Sequence, residues 1–213
     1  MVLALIGMSG IGKTAWAGRL ADAGFACLPC DDLIAARLRA RFTIASPSLY
    51  DVGAWMGMPH EAHFAEREAA YLACEAAVLR EIAGDVLEHH APGRRLVIDL
   101  TGSAVYADPA ILAAIRRAAT VVHLAAGPAH HRQLLQAYLA RPRPVVWNGV
   151  YRPEPNEPPD AALARCYGRL LAQREVLYAA LSHVRLDAVV HSDPSFSVDA
   201  FVRAVNAHGD APR

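Results

Sequence analysis

Residues 2–14 of this 213-residue chain have the sequence VLALIGMSGIGKT. The first five, Val2–Ile6, form a continuous apolar run, which is typical of a strand buried on both faces of a sheet. Three glycines follow within six residues, and Lys13 and Thr14 then open a segment with helical periodicity. The stretch therefore predicts a buried strand, a tight glycine-rich turn and a helix in direct succession.

The turn matches the P-loop pattern G-x-x-x-x-G-K-[ST] through eight residues: Gly7, Met8, Ser9, Gly10, Ile11, Gly12, Lys13 and Thr14. In this pattern backbone amides surround phosphate oxygens, the lysine reaches the β and γ phosphates, and the threonine hydroxyl binds magnesium. Lys13 is also the only lysine among the 21 basic residues. An ordinary glycine-rich turn is the alternative, but the strand before the pattern and the helix after it favour binding of ATP and Mg²⁺.

Four further strands are predicted, at residues 25–28, 94–100, 120–124 and 184–187, and they alternate with segments of helical periodicity. Strands that alternate with helices predict an α/β fold in three layers, with a five-stranded parallel sheet and helices on both faces. Residues 140–160 are rich in proline and predict a lid loop. Because no repeat or linker interrupts the chain, residues 1–213 are expected to form a single P-loop domain.

Composition limits the partners that this chain can have. The 21 basic and 21 acidic residues cancel, so no overall positive charge favours nucleic acid or an anionic membrane surface. No apolar run approaches the roughly 20 residues of a membrane span. We therefore expect a soluble, cytoplasmic protein that binds a small-molecule partner and neither nucleic acid nor membrane; the sequence leaves its oligomeric state open.

Beyond the P-loop, several short motifs occur in the order in which shikimate kinases have them. Residues 28–31 (LPCD) stand in the place of an L-D-x-D strand end, and residues 97–105 (VIDLTGSAV) in the place of a strand followed by G-G-G-A-V. Further on, residues 143–146 (RPVV) resemble R-P-L-L, and residues 174–178 (REVLY) resemble R-x-P-L-Y. The chain thus resembles shikimate kinases, which have the nucleoside monophosphate kinase-like P-loop fold, over nearly its full length.

This resemblance implies roles for two carboxylates. Asp31 matches the second aspartate of the L-D-x-D motif, which contacts the acceptor hydroxyls, and a carboxylate there can orient the hydroxyl and accept its proton. The first aspartate of that motif, associated with magnesium, is replaced by Pro29. Asp99 ends the run of residues 96–98 beside the P-loop and is the other candidate for the magnesium site. The alternative for either aspartate is a helix cap or turn residue.

The predicted acceptor-binding region, about residues 31–75, departs from the family pattern. Residues 67–75 (REAAYLACE) align to G-E-x-x-F-R-x-x-E, so Leu72 replaces the arginine that binds the acceptor carboxylate. Arg67, more than one helical turn earlier, and Arg174, which matches another acceptor-binding arginine of the family, are the candidates to take its place. Gly102 is the one glycine left of the family triplet and is expected where the backbone approaches the acceptor.

The lid carries two arginines, each followed by proline. Either Arg141 or Arg143 could meet the phosphates when the lid closes. We favour Arg143, because Val145 and Val146 after it preserve the apolar pair of the family motif; a solvated loop arginine is the alternative.

Together these residues predict a small-molecule kinase that transfers a phosphoryl group from ATP to a hydroxyl of a small polar metabolite. Lys13, Asp31 and Arg143 are the candidate catalytic residues, and Thr14 and Asp99 the candidate magnesium ligands. The absence of an arginine at Leu72 favours an uncharged acceptor over shikimate itself. The alternative is a nucleotide-binding regulatory protein with a degenerate, non-catalytic acceptor site.

Overall fold

The centre of the fold is a sheet of parallel strands, seen in a computed structural model that describes residues 1–44, 46, 48–141 and 143–209. Within these residues there are five strands: β1 (Val2–Ile6), β2 (Ala26–Pro29), β3 (Leu96–Asp99), β4 (Thr120–Leu124) and β5 (Val184–Leu186). Their spatial order is β2-β3-β1-β4-β5, and every neighbouring pair is parallel. The five-stranded parallel sheet predicted from the sequence is confirmed.

Helices cover both faces of this sheet and give the predicted three layers. They are α1 (Lys13–Asp22), α2 (Cys30–Arg41), α3 (Leu49–Met56), α4 (Phe64–Glu81), α5 (Pro109–Ala118), α6 (Pro128–Ala140), α7 (Pro159–Leu181), α8 (Ala188–His191) and α9 (Val198–Gly209). The start of α5 follows its sequence signal, because the Asp108 carboxylate accepts a hydrogen bond from the Ala110 amide at 2.7 Å and Pro109 occupies the first turn. The central strand β1 is buried from Leu3 to Ile6, as its uninterrupted apolar sequence requires.

The sequence predicts one long helix over about residues 61–89, and the helix in the structure is shorter and less regular. The α-helical part ends at Glu81, and the chain continues through a wider π-helical turn at Ile82–Val86. Gly84 lies in this turn, where the periodic pattern of apolar residues gives no signal for the change of helix type. The prolines and glycines of residues 40–59 predict a loop with short helical pieces, and α3 lies in this segment.

The strand register brings several polar residues to one edge of the sheet. Asp99, the last residue of β3, is paired with Leu5 of β1 on one side and with Pro29 of β2 on the other. Since the carboxyl ends of parallel strands share one edge, the P-loop after β1 and the start of α2 after β2 lie beside Asp99. This edge is where a ligand is expected in an open α/β sheet.

The segment between α6 and α7 is predicted as a lid loop, and residues 141 and 143–158 form neither helix nor strand. Its first part nevertheless belongs to the core, because the side chains of Val145, Val146 and Trp147 are buried. Trp147 packs among the rings of Tyr138 and Tyr167.

Among the described residues, no helix has both the length and the apolar character needed to cross a membrane.

Candidate active site

The P-loop runs from the end of β1 to the start of α1. Gly7 has a φ of +149°, and a Cβ atom there would lie 2.5 Å from the carbonyl oxygen of Leu124 on β4, so only glycine fits. Gly12 precedes α1 with a left-handed backbone conformation and no side chain that could cap the helix. The amides at the start of α1 therefore remain free of side-chain caps, as an anion-binding loop requires.

Lys13 places its ammonium group inside this loop. The side chain is buried, and Nζ donates hydrogen bonds to the carbonyl oxygens of Gly7 at 2.9 Å and Met8 at 3.1 Å. Burial lowers the pKa of Lys13, while the neighbouring carboxylates of Asp99 and Asp31 act in the opposite direction. The loop thus holds a desolvated cation between two carboxylates.

Thr14 and Asp99 meet beside the lysine. The Thr14 hydroxyl donates a hydrogen bond to Oδ2 of Asp99 at 2.7 Å. The other carboxylate oxygen, Oδ1, is buried and has no hydrogen-bond partner among the described residues. Burial raises the pKa of Asp99, while Lys13 and the Thr14 hydroxyl counteract it. A hydroxyl beside a buried, unpartnered carboxylate oxygen is a donor set that fits Mg²⁺, which prefers oxygen ligands.

Asp31 lies in the first turn of α2 and does not cap the helix, because Pro29 is the N-cap residue and no side chain caps this end. Its Oδ1 atom instead accepts a hydrogen bond from the Tyr71 hydroxyl of α4 at 3.3 Å. Burial raises the pKa of Asp31, and the Lys13 ammonium opposes this rise. The interpretation of Asp31 as a mere helix cap is therefore wrong.

A cavity of about 250 Å³ joins the P-loop to Asp31. Its lining residues are Ser9, Gly10, Gly12, Lys13, Thr14, Ala15, Asp31, Leu49 and Arg143. The structure thus brings Lys13 and Thr14 of the P-loop together with Asp31 and Arg143, which come from two other parts of the chain.

Arg143 reaches this cavity from the segment between α6 and α7. Its Nη1 atom lies 3.6 Å from the position that a Cβ atom on Gly10 would take, so the guanidinium lies against the tip of the P-loop. Its Nη2 atom donates a hydrogen bond to the Tyr50 hydroxyl at 3.1 Å. The other lid arginine, Arg141, places its guanidinium carbon 3.4 Å from the centre of the Tyr50 ring.

Arg174 and Gly102 lie next to the P-loop but are not among the residues that line the cavity. The Arg174 guanidinium is buried and donates to the carbonyl oxygen of Val146, to the hydroxyl of Tyr106 and to Sδ of Met8. A Cβ atom on Gly102 would lie 3.1 Å from Nη1 of Arg174 and 3.3 Å from the Ser9 amide nitrogen. Both residues therefore contact the P-loop.

Arg67 also lies outside the cavity lining. Its Nη1 atom donates to the carbonyl oxygen of Trp55 near the end of α3, and its guanidinium carbon lies 5.7 Å from the centre of the Trp55 ring. Leu72, at the family's arginine position, packs partly buried against the core. The two arginines proposed to take over from Leu72 thus have their guanidinium groups engaged within the chain.

Glu75 was given no role from the sequence, although it matches the last glutamate of the family pattern aligned to residues 67–75. Its carboxylate is buried, and Oε1 accepts hydrogen bonds from the hydroxyls of Thr101 and Ser103, the latter at 2.6 Å. Burial raises the pKa of Glu75 to about 7, although both hydroxyls act to lower it. Its spacing of four residues from Tyr71 places both on one face of α4, but a buried glutamate is too rare to expect from spacing alone.

Glu68, on the same helix, was also missed. Its Oε1 atom accepts hydrogen bonds from the backbone amides of Trp147 and Asn148, the latter at 3.1 Å. The buried part of the segment between α6 and α7 is therefore fastened to α4. No sequence pattern relates a helical glutamate to two amides about eighty residues away.

Three of the solved structures similar to this one are shikimate kinases. The enzyme from Acinetobacter baumannii, in complex with shikimate, aligns with a TM-score of 0.63 at 19% identity and covers 99% of this chain and 95% of its own. The crystal structure from Aquifex aeolicus vf5 gives 0.59 at 13% identity, with 100% of both chains covered. The crystal structure from Bacteroides thetaiotaomicron gives 0.53 at 18% identity, covering 98% and 93%.

Sequence comparison adds no relative, since no protein-family model and no curated protein matches the chain. The structural likeness covers nearly the whole chain and agrees with the strand order and with the P-loop at the end of β1. At these low identities it establishes the fold. The chain thus has the P-loop kinase fold of the shikimate kinases.

Proposed function

We propose that this protein transfers the terminal phosphoryl group of ATP to a hydroxyl group of a small polar acceptor that carries no carboxylate. The observation that supports it most is the shared cavity in which Lys13 and Thr14 of the P-loop face Asp31 of α2. A loop that only binds a nucleotide has no need of a second carboxylate opposite its lysine. A phosphotransferase does, because the acceptor hydroxyl must be oriented and must lose its proton.

In the proposed reaction the acceptor oxygen attacks the γ phosphorus of ATP, and the bond from that phosphorus to the bridging oxygen breaks to release ADP. Asp31 orients the hydroxyl and takes its proton. Its raised pKa suits this role, because a base whose pKa lies nearer to neutrality retains the proton better.

Cationic groups oppose the charge on the transferring phosphoryl group. Lys13 and Arg143, which both line the cavity, supply two of these charges. Mg²⁺, which Thr14 and Asp99 would hold, supplies the remaining charge neutralisation on the phosphate oxygens.

The acceptor class follows from the arginines. Among the described residues that line the cavity, Lys13 and Arg143 are the cations, and we assign both to phosphate. Arg174 donates to three partners within the chain and Arg67 donates to the Trp55 carbonyl oxygen, while Leu72 has no donor. The Acinetobacter baumannii neighbour is in complex with shikimate, but an acceptor carboxylate in the present cavity would face Asp31 and find no forked donor besides Arg143, which is assigned to phosphate. A neutral polyol or sugar fits this site better.

A second candidate is a regulatory protein that binds a nucleotide without transferring phosphate. Pro29 favours it, because it stands where the resemblance implies a magnesium-associated aspartate. The closed cluster of Glu75 with Thr101 and Ser103 also favours it, since these groups bind each other and not an acceptor.

Release of ADP across a panel of neutral polyols, neutral sugars and cyclitol acids, shikimate included, tests the proposal. We expect at least one neutral compound to raise the rate more than about tenfold over the basal rate, and shikimate to remain below a kcat/KM of about 10⁴ M⁻¹s⁻¹, the lower end of ordinary enzymes. Tight ATP binding without stimulation by any compound would support the regulatory protein. A value for shikimate at or above that limit would show that the acceptor class is wrong.

A further inference from the structure

Tyr50 joins the two segments that flank the cavity. It lies in the first turn of α3, within the region predicted to bind the acceptor, and contacts both arginines of the segment after α6. The guanidinium carbon of Arg141 lies 3.4 Å from its ring centre, and that of Arg143 lies 5.4 Å away. A guanidinium held over a tyrosine ring in this range is attracted by the negative face of the ring.

The position of Tyr50 is itself determined locally. Ser48 caps α3, since its hydroxyl accepts a hydrogen bond from the Asp51 amide at 3.1 Å. The Asp51 carboxylate in turn accepts hydrogen bonds from the hydroxyls of Ser46 and of Ser48, the latter at 2.7 Å. This capping network fixes the first turn of α3 and with it the direction in which the Tyr50 side chain leaves the helix.

The hydroxyl of Tyr50 acts on the arginine that reaches the P-loop. It accepts a hydrogen bond from Nη2 of Arg143 at 3.1 Å, while Nη1 of the same guanidinium lies against Gly10. This hydrogen bond also lowers the pKa of Tyr50. A free arginine side chain samples many rotamers, so a fixed partner on one nitrogen aims the opposite edge of the guanidinium.

We propose that Tyr50 is a positioning residue that holds Arg143 over the P-loop, so that the arginine meets the terminal phosphate of a bound nucleoside triphosphate. The inference rests on the proposed use of ATP. In this proposal the contact between α3 and the segment after α6 makes the protein bind a triphosphate more tightly than a diphosphate. The proposal holds for any acceptor.

Calorimetric titration with ADP and with a non-hydrolysable ATP analogue, both with Mg²⁺, tests this role in the wild type and in three variants: Tyr50→Phe, Arg143→Ala and the double variant. We expect Tyr50→Phe to weaken binding of the analogue by about three- to tenfold, the range of one hydrogen bond to a charged group, and to leave ADP within about twofold. The double variant should bind the analogue no worse than Arg143→Ala, because Tyr50 acts through that arginine.

Tyr151→Phe is the matched control. Tyr151 lies, like Arg143, in the segment between α6 and α7, and its ring packs against Trp147. The variant should bind both nucleotides as the wild type does. Equal weakening of ADP and analogue by Tyr50→Phe, or effects of Tyr50→Phe and Arg143→Ala that add, would overturn the positioning role alone. A wild type that binds neither nucleotide would overturn the proposed function and this inference together.

Discussion

Lys13 is a residue for which the chain holds no substitute, because every other basic residue is an arginine. Its ammonium lies inside the P-loop and is a compact point charge, whereas a guanidinium is planar and larger. Lys13→Ala is expected to weaken Mg·ATP binding by about 100-fold or more, since it removes a buried charge that pairs with phosphate. Lys13→Arg should recover less than a tenth of the affinity for Mg·ATP that Lys13→Ala loses.

Calorimetric titration of both variants measures these affinities. Unfolding curves close to that of the wild type would show that the variants are folded. An unchanged affinity of Lys13→Ala for Mg·ATP would remove the nucleotide site from this account.

Glu75 predicts a pH dependence of stability. The pKa of Glu75 is about 7 in the folded protein, whereas a glutamate with its ordinary pKa of 4.5 represents the unfolded chain. Between these two pH values the folded state therefore holds a proton that the unfolded state has released. The free energy of unfolding therefore falls as the pH rises through this window. Glu75→Gln cannot ionise and should gain up to about 3 kcal/mol relative to the wild type between pH 5 and pH 8.

Urea unfolding at several pH values measures this difference, with Glu66→Gln as the matched control. Glu66 is exposed in the first turn of the same helix, so its variant should stay within about 1 kcal/mol of the wild type, the size of a helix-terminus effect. Parallel curves for Glu75→Gln and the wild type would show that the Glu75 carboxylate does not titrate in this window.

At the scale of elements, the P-loop depends on the loop after β3. A Cβ atom on Gly102 would lie 3.3 Å from the Ser9 amide nitrogen and 3.4 Å from the Gly7 carbonyl oxygen, so the P-loop backbone has to move to accept it. Gly102→Ala is expected to destabilise the fold by about 1–3 kcal/mol, as overpacking of a close contact does. It should also weaken Mg·ATP binding.

Gly18→Ala is the control on the helix that begins at the P-loop. A Cβ atom there meets nothing within 4 Å, so alanine should stabilise α1 by about 0.5–1 kcal/mol and leave ATP affinity unchanged. Thermal unfolding and nucleotide titration of the two variants measure both effects. If the Gly102→Ala protein is as stable as the wild type and binds Mg·ATP equally tightly, the loop after β3 does not support the P-loop.

The elements differ in how well the sequence predicts them. The five strands and the P-loop could be predicted because the strands are short, mainly apolar segments between helical segments, and the P-loop pattern is local. The π-helical turn at Ile82–Val86 could not, because its residues continue the periodicity of a helix. The burial of Val145 to Trp147 was hidden by the prolines around them, which indicate a loop whether or not it packs inward.

At the scale of the whole molecule, the candidate site was predicted in part. Lys13, Thr14 and Asp31 were named from motifs, and the structure places all three around one cavity together with Arg143. The placement of Arg174 could not be predicted, because its partners at Met8 and Val146 come from segments far apart in sequence. Packing between elements decides which face of a helix lines the cavity, and the spacing of motif residues does not predict it.

Transfer of labelled phosphate from γ-³²P-ATP to the best neutral acceptor, followed in a single turnover, tests the central claim most directly. Asp31→Asn and Asp32→Asn are a matched pair, because the two aspartates are neighbours and Asp32 is exposed. The wild type and Asp32→Asn should label the acceptor at similar rates, and Asp31→Asn should do so about 100-fold more slowly or worse, while all three bind ATP within a few-fold of each other. Label that reaches only inorganic phosphate, or equal transfer by Asp31→Asn and Asp32→Asn, would contradict the claim that Asp31 directs phosphoryl transfer to a hydroxyl.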